Sequence, residues 1–352
     1  MSTSDMFIRA CMRSPITHVP VWYMRQAGRY QPEYREIRKK YSLLDICRHP
    51  EVCYEVTKLP VDYLGVDAAI LFSDIMVPIG PMGMAFDIKE GIGPVIESPI
   101  RTPADIDRLH VFDPAAELPH VLDTIRLLKR DLTVPLIGFT GAPFTLASYM
   151  VEGGPSRSYI KTKQFMWSEP AQWQRLMDKL ADMIVVYLTA QVQSGAAAVQ
   201  VFDSWVGSLA PRDYKTYVWP AMKRIFNALK PLGVPLIYSG VGTGELLTLM
   251  GETGANVVSV DWRVPLSSAR ERLPEAVALQ GNLDPIMLFG PWSELEARTR
   301  EIIDEGLAAG GFIFNLGQGV VHHNPPIEPE TLRRLTAFVH EYSRDRLAAL
   351  QK

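Results

Sequence analysis

Eight short apolar runs recur along this chain, most of them closing on glycine, serine or a carboxylate. They are VPVWYM (19–24), AAILFSD (68–74), PLIGFTG (135–141), AVQVFDS (198–204), PLIYSG (235–240), VVSVDW (257–262), VALQGNLD (277–284) and FIFNLGQG (312–319). Amphipathic stretches of helical period lie between them, most clearly Glu169 to Ser194, Arg212 to Lys230, Ser293 to Ala309 and Pro329 to Leu350. Continuously apolar strands alternating with helices predict a parallel sheet covered on both faces. Eight such units in 352 residues predict an α/β fold of the (β/α)8 TIM-barrel type. An open doubly wound sheet would need a glycine fingerprint after its first strand, and Arg25 to Tyr30 is not one. The segment 84–100 reads as a β-hairpin around Glu90–Gly91, inserted after the second strand. No low-complexity linker divides the chain, so residues 1–352 are expected to form a single domain.

In such barrels the chemistry sits at the C-terminal strand ends. Behind the first run stand Arg25 and Arg29, four residues apart in MRQAGRYQPEYR (24–35). Guanidinium groups are planar, forked donors suited to carboxylates and phosphates. A helical segment would put both on one face; a surface salt-bridge pair is the other reading. Asp74 ends the second run, ahead of apolar IMVP. It is either an acceptor for cationic or N–H groups of a ligand, a partner of Arg25 or Arg29, or a cap for the next turn. Pairing with a cation or N–H groups would hold its pKa low. Other strand ends offer Thr140 and the helix leading to Tyr149, Asp203 and Ser204, Tyr238 and Ser239, Asp261, Asn282 and Asp284, and Asn315 and Gln318. Tyr149 reads as a ligand contact or a core tyrosine. The loop GVGTGEL (240–246) is a weak phosphate nest or a tight turn, and NLGQG (315–319) falls at the usual barrel phosphate position.

Composition excludes several classes. Only three cysteines occur, with no C-x-x-C spacing, which argues against a disulfide framework and fits a reducing, cytoplasmic setting. No metal-ligand spacing falls at a strand end, and no metal is expected. His322 and His323 lie past the eighth run, where solvation or capping is the ordinary role. No signal peptide or membrane span is evident, and a net charge of -3 gives no sign of nucleic-acid binding. The first 40 residues nevertheless carry eight basic against three acidic side chains, a balance of +5 that could steer a small anion there.

MRQAGRYQPEYR resembles the signature of the uroporphyrinogen decarboxylase family. LFSDIMVP (71–78), GAPFTLASYMVEGG (141–154), QVFDSW (200–205), VGTGELL (241–247), SVDW (259–262), QGNLDP (280–285) and FNLG (314–317) follow in the family's order. The resemblance implies a cytoplasmic, homodimeric, cofactor-free carboxy-lyase. It would convert the four acetates of uroporphyrinogen III to methyls, giving coproporphyrinogen III and four CO2. It implies Arg25 and Arg29 as binders of substrate carboxylates and Asp74 as the catalytic acceptor of the pyrrole N–H groups. Tyr149 and Ser204 would contact side-chain carboxylates. Arg25 is the implied proton donor, awkward for a guanidinium unless it relays through water or substrate.

One position departs. Family members usually carry GHG where this chain has Gly317–Gln318–Gly319. Either Gln318 substitutes as a hydrogen-bonding contact, or His322 or His323 swings in. The nearest rival is a methyltransferase of the same superfamily, whose zinc needs a His-x-Cys and a later cysteine; here that run is IYSGVG, and no cysteine follows Cys53. A non-catalytic tetrapyrrole carrier would use the same binding residues.

Overall fold

Seven parallel strands follow one another around a curled sheet in this computed structural model, which describes residues 5–89 and 91–350. In chain order the strands are β1 (Ala69–Ile70), β2 (Phe86–Lys89), β3 (Gly93–Ile96), β4 (Leu136–Gly141), β5 (Ala198–Asp203), β6 (Leu236–Gly240), β7 (Val257–Ser259), β8 (Ala278–Leu283) and β9 (Phe312–Leu316). The sheet order is β1-β4-β5-β6-β7-β8-β9, while β2 and β3 form a separate antiparallel pair from Phe86↔Ile96 to Lys89↔Gly93. Of the expected turn Glu90–Gly91, Glu90 lies outside the described residues.

The expected first strand, 19–24, is not a strand of this sheet; it makes one isolated parallel bridge, Val21↔Phe314. The reason lies in its donors. Pro20 has no N–H. The N–H of Val21 goes to Asp67 Oδ2 (2.7 Å), that of Tyr23 to Gln26 Oε1 (3.1 Å) and that of Met24 to Asn315 Oδ1 (3.0 Å). Side chains thus occupy donors that a ladder would use. The segment still lies between β9 and the residue leading into β1. Phe314 N–H reaches Pro20 O (2.9 Å), and Asp67 N–H reaches Val21 O (2.7 Å).

Residues two apart on a strand share a face. Ala68, Ile137, Ala198, Ile237, Val257, Ala278 and Ile313 form a buried apolar layer, plugged by Phe7, Ala10 and Cys11 and joined by Trp22. One step towards the strand C-termini, Trp22 Nε1 donates to Gln280 Oε1 (2.9 Å), and Gln280 Nε2 donates to Ser259 Oγ (2.7 Å) and Gln200 Oε1 (3.1 Å). Above this polar layer the sheet opens. The helices agree with the periodicity, with Pro170–Ser194, Trp292–Ala309 and Pro329–Leu350 standing near the expected bounds. The stretch 212–230 is instead two helices, Pro211–Tyr217 and Trp219–Leu229. Pro220 explains the break, since its ring would collide with the carbonyl four residues earlier in a continuous helix.

At the opposite end of the sheet Asp67 joins three parts of the chain. His18 Nε2 lies 3.0 Å from Oδ1, and His340 Nε2, on the last helix, lies 2.7 Å from Oδ2. An ionised carboxylate only accepts, so both imidazoles donate. These three groups are of metal-ligand type, and each histidine nitrogen is hydrogen-bonded to one Asp67 oxygen. Burial opposes ionisation of Asp67, but the bonds from His18, His340 and the Val21 N–H outweigh it and hold its pKa below the ordinary carboxylate value. The stability it contributes is therefore complete above the unfolded-state pKa and lost as pH falls through the depressed folded one. Asp67→Ala is expected to cost about 3–5 kcal/mol, because it leaves buried donors unpaired. Urea unfolding from pH 7 to pH 3 checks this: the wild type should lose more stability over the acid range than the variant, and parallel curves would count against this role of Asp67.

Candidate functional site

A cleft of about 530 Å³ opens at the C-terminal ends of the strands. Its lining includes all six residues expected from the sequence: Arg25, Arg29, Asp74, Tyr149, Ser204 and Gln318. They arrive from five separate segments of the chain.

The two arginines do not share a helix face. Arg25 has φ 61°, the left-handed region, and the first helix after it starts only at Pro32. A non-glycine residue held there costs of order 1–3 kcal/mol unless its surroundings impose it. Here they do. Gln26 N–H bonds back to Tyr23 O (2.9 Å), and the Gln26 amide clamps Tyr23 N–H on one side and Ala68 O (3.1 Å) on the other. The stem of Arg25 then crosses Gly319, where an added Cβ would lie 2.7 Å from its Cδ and 2.8 Å from its Cγ. Arg29 Nη1 stands 3.4 Å from His322 Nε2.

Asp74 lies four residues beyond β1. Its Oδ1 accepts the Met76 N–H (2.8 Å), so the capping reading of this carboxylate is part of the structure. Burial raises its pKa above the ordinary value, and the Met76 bond and the charge of Arg25 only partly offset that. The low pKa expected from pairing is thus corrected: desolvation in an apolar wall wins. Tyr149 lies two turns into the helix Pro143–Glu152, its pKa pushed up to about 12 by burial first and by Asp74 second, so its hydroxyl stays a donor. Its ring packs edge-on against Trp205, with centroids 5.9 Å apart. Phe139 and Phe202, perpendicular rings 5.3 Å apart, face the cleft from β4 and β5. Sequence reading passed over both; the signal was the period of two that places them on the face of Ile137 and Ala198.

Other strand-end residues serve the frame. Asn315 holds Met24, Asp284 caps Ile286 N–H (2.9 Å), and Asn282 Nδ2 donates to Val264 O (2.7 Å). Asp261 accepts the N–H groups of Arg263 (2.9 Å) and Gly242. That last bond directs a would-be phosphate donor of the glycine-rich loop at a protein carboxylate, which weighs against a phosphate nest there. Past β9, Gln318 and His322 line the cleft, whereas His323 sits 3.0 Å from Pro325 O and edge-on to Phe289. Cys11, Cys47 and Cys53 are buried, and none lines the cleft.

A cleft with two arginines at its rim, one carboxylate and apolar walls is built for a polyanion with an apolar, N–H-bearing body. The model of the family described as "Uroporphyrinogen decarboxylase (URO-D)" matches residues 2–342. The chain belongs to the uroporphyrinogen decarboxylase family. A uroporphyrinogen decarboxylase of Halalkalibacterium halodurans is 55% identical over 342 residues, covering 97% of this chain and 98% of its own. One of Bacillus cereus is 53% identical over 346 residues, covering 98% of each. Among solved structures, a methyltransferase from Methanosarcina mazei matches with a TM-score of 0.81 at 19% identity, covering 97% of this chain and 99% of its own. A B12-independent methionine synthase from Shewanella matches with a TM-score of 0.59 at 10% identity, covering 93% and 95%. At those identities the likeness is one of fold alone.

The Gly319 crossing is testable. Gly319→Ala should displace the flexible Arg25 stem rather than the backbone, so the melting temperature should change little. Binding of a polycarboxylate should weaken about tenfold, as expected for loss of one charge-assisted contact. Titration against the melting curve decides it, and unchanged affinity would show that Arg25 reaches the cleft by another path.

Proposed function

We propose that this chain decarboxylates the four acetate side chains of uroporphyrinogen III in tetrapyrrole biosynthesis, giving coproporphyrinogen III and four CO2. Family membership carries the reaction, and the convergence of Arg25, Arg29, Asp74, Tyr149, Ser204 and Gln318 on one cleft supports the assignment of residues. Arg25 and Arg29 bind carboxylates of the substrate. Tyr149 and Ser204 donate to others, and Gln318 supplies an uncharged contact beside Gly319. Asp74 accepts the converging pyrrole N–H groups.

The chemistry follows from that placement. A proton added to a pyrrole carbon turns the ring into an electron sink, so the mechanism asks no other group to take the electron pair. The cation that forms lies against Asp74, a fixed carboxylate in a partly desolvated site where it acts strongly. The C–CO2 bond breaks into that sink, the exocyclic methylene then takes up a proton, and the pyrrole carbon gives back the one it first received, so each acetate exchanges CO2 for a hydrogen. Arg25 orients the acetate and the water or substrate group that passes the proton to the ring, since a guanidinium does not give up its own.

We read the scaffold as one (β/α)8 barrel domain across residues 1–352, with 19–24 in the place of the first strand and β2–β3 as an insertion after the second. The hydrogen bonds of 19–24 to both neighbours and the span of the family match support this. We further infer a cytoplasmic homodimer. No helix among the described residues is long and apolar enough to cross a membrane.

Anaerobic incubation with uroporphyrinogen and separation of the eight- to four-carboxyl products tests the function; intact carboxyl groups would leave a tetrapyrrole carrier. Asp74→Asn should stay folded and lose at least about a hundredfold in kcat/KM, the scale of one electrostatic stabiliser. Because the pKa of Asp74 is raised, the acid limb of the wild-type profile should lie above the ordinary carboxylate value of about 3.9, and wild-type turnover by the variant would remove the role. Gln318→His should retain activity within about threefold, as an exposed hydrogen-bonding contact exchanged for another; a large loss would show a loop rebuilt around glutamine.

A further inference from the structure

Behind Ser204, turned away from the cleft, lies a carboxylate that the mechanism does not use. Asp203 ends β5 and is fully buried. Its Oδ1 accepts the Thr145 hydroxyl at 2.8 Å, and its Oδ2 accepts the Tyr238 hydroxyl at 2.9 Å. Tyr238 in turn lies 3.1 Å from the hydroxyl of Tyr214. Burial pushes Asp203 up to about 6, and the two hydroxyls pull it only part of the way back. A buried carboxylate held by hydroxyls rather than by a cation is a costly way to fill space. What it supplies is direction, since each oxygen fixes one donor.

The donors it fixes belong to the cleft wall. Thr145 and Tyr149 are four residues apart on the helix Pro143–Glu152, on one face. The Thr145 oxygen also accepts the Trp205 N–H at 3.2 Å, and Trp205 packs on Tyr149. Ser204 is therefore held from both sides, by the Asp203 side chain before it and the Trp205 backbone after it. On the neighbouring strand Tyr238 stands directly before Ser239, which lines the cleft.

We propose that Asp203 is a positioning residue for substrate binding: through Thr145 and Tyr238 it holds Ser204 and Tyr149 in register on the cleft wall. It touches no substrate. The proposal rests on the decarboxylase reading and extends it from the contacts to the buried group that aligns them.

Three variants separate alignment from mere stability. Thr145→Val keeps shape and removes the bridging hydroxyl. Asp203→Leu keeps volume and removes both acceptors. Asp203→Asn can accept from Thr145 and donate to Tyr238, whose own proton then turns to Tyr214. For folded protein with unchanged circular dichroism, Thr145→Val and Asp203→Leu should raise KM for uroporphyrinogen about tenfold, with kcat for the first decarboxylation within about twofold. Seven- to five-carboxyl intermediates should accumulate, because each turnover presents a new acetate to a misaligned wall. Asp203→Asn should restore KM to within about threefold of wild type. Should Asp203→Leu not fold, Thr145→Val decides alone. Folded Thr145→Val with wild-type KM and product distribution, beside an active wild type, overturns the inference. A wild type that removes no carboxyl group overturns the decarboxylase reading and the inference together.

Discussion

One carboxylate anchors the segment that lies between the two edge strands of the curled sheet. Asp67 accepts from the Val21 backbone, from His18 and from His340, and so ties the first extended segment, the lead into β1 and the last helix to a single point. The segment it holds carries Arg25 and Arg29 at its far end. A ladder alone would not seat that segment, because proline removes one donor and side chains take those of Val21, Tyr23 and Met24. Stability is thereby gathered at one end of the sheet and binding chemistry at the other, the division expected of barrels.

At the open end, geometry and electrostatics are coupled. Arg25 reaches the cleft because a strained turn aims it and Gly319 leaves its stem a path. Its charge then partly offsets the desolvation of Asp74 without cancelling it. Tyr149, raised by burial and by that same carboxylate, stays a neutral donor. The cleft therefore presents permanent cations, one acceptor of raised pKa and neutral donors. That set matches a molecule rich in carboxylates around a core of N–H groups, and the buried Asp203 network stands behind the wall that carries two of the donors.

The strands were legible because burial on both faces leaves continuous apolar runs. The first run read as one more of these, since composition cannot show that Asp67, Gln26 and Asn315 would take its backbone donors. The break at Pro220 was readable in principle but lost within a strong apolar period. For Arg25 and Arg29 the spacing misled about conformation, not about place: a left-handed turn, not a helix, brings them to one cleft. The roles of Asp203, Asp261, Asn282 and Asn315 were not legible. A polar residue at a strand end points into the cleft or into the helical layer according to its position in the pleat, and a shift of one residue reverses the answer.

What the sequence by itself determined is the alternation of strand and helix, the family through its collinear motifs, and six of the residues that line the cleft. These are local or additive signals, carried by periodicity and by short runs of fixed residue types. Only the tertiary structure decided which histidine meets Arg29, that Asp74 has a raised pKa, and that a hidden carboxylate accepts the Thr145 and Tyr238 hydroxyls behind the cleft wall. Each depends on which groups the fold brings beside one another, and where they are buried the energy of a charge is set by its surroundings rather than by its residue type.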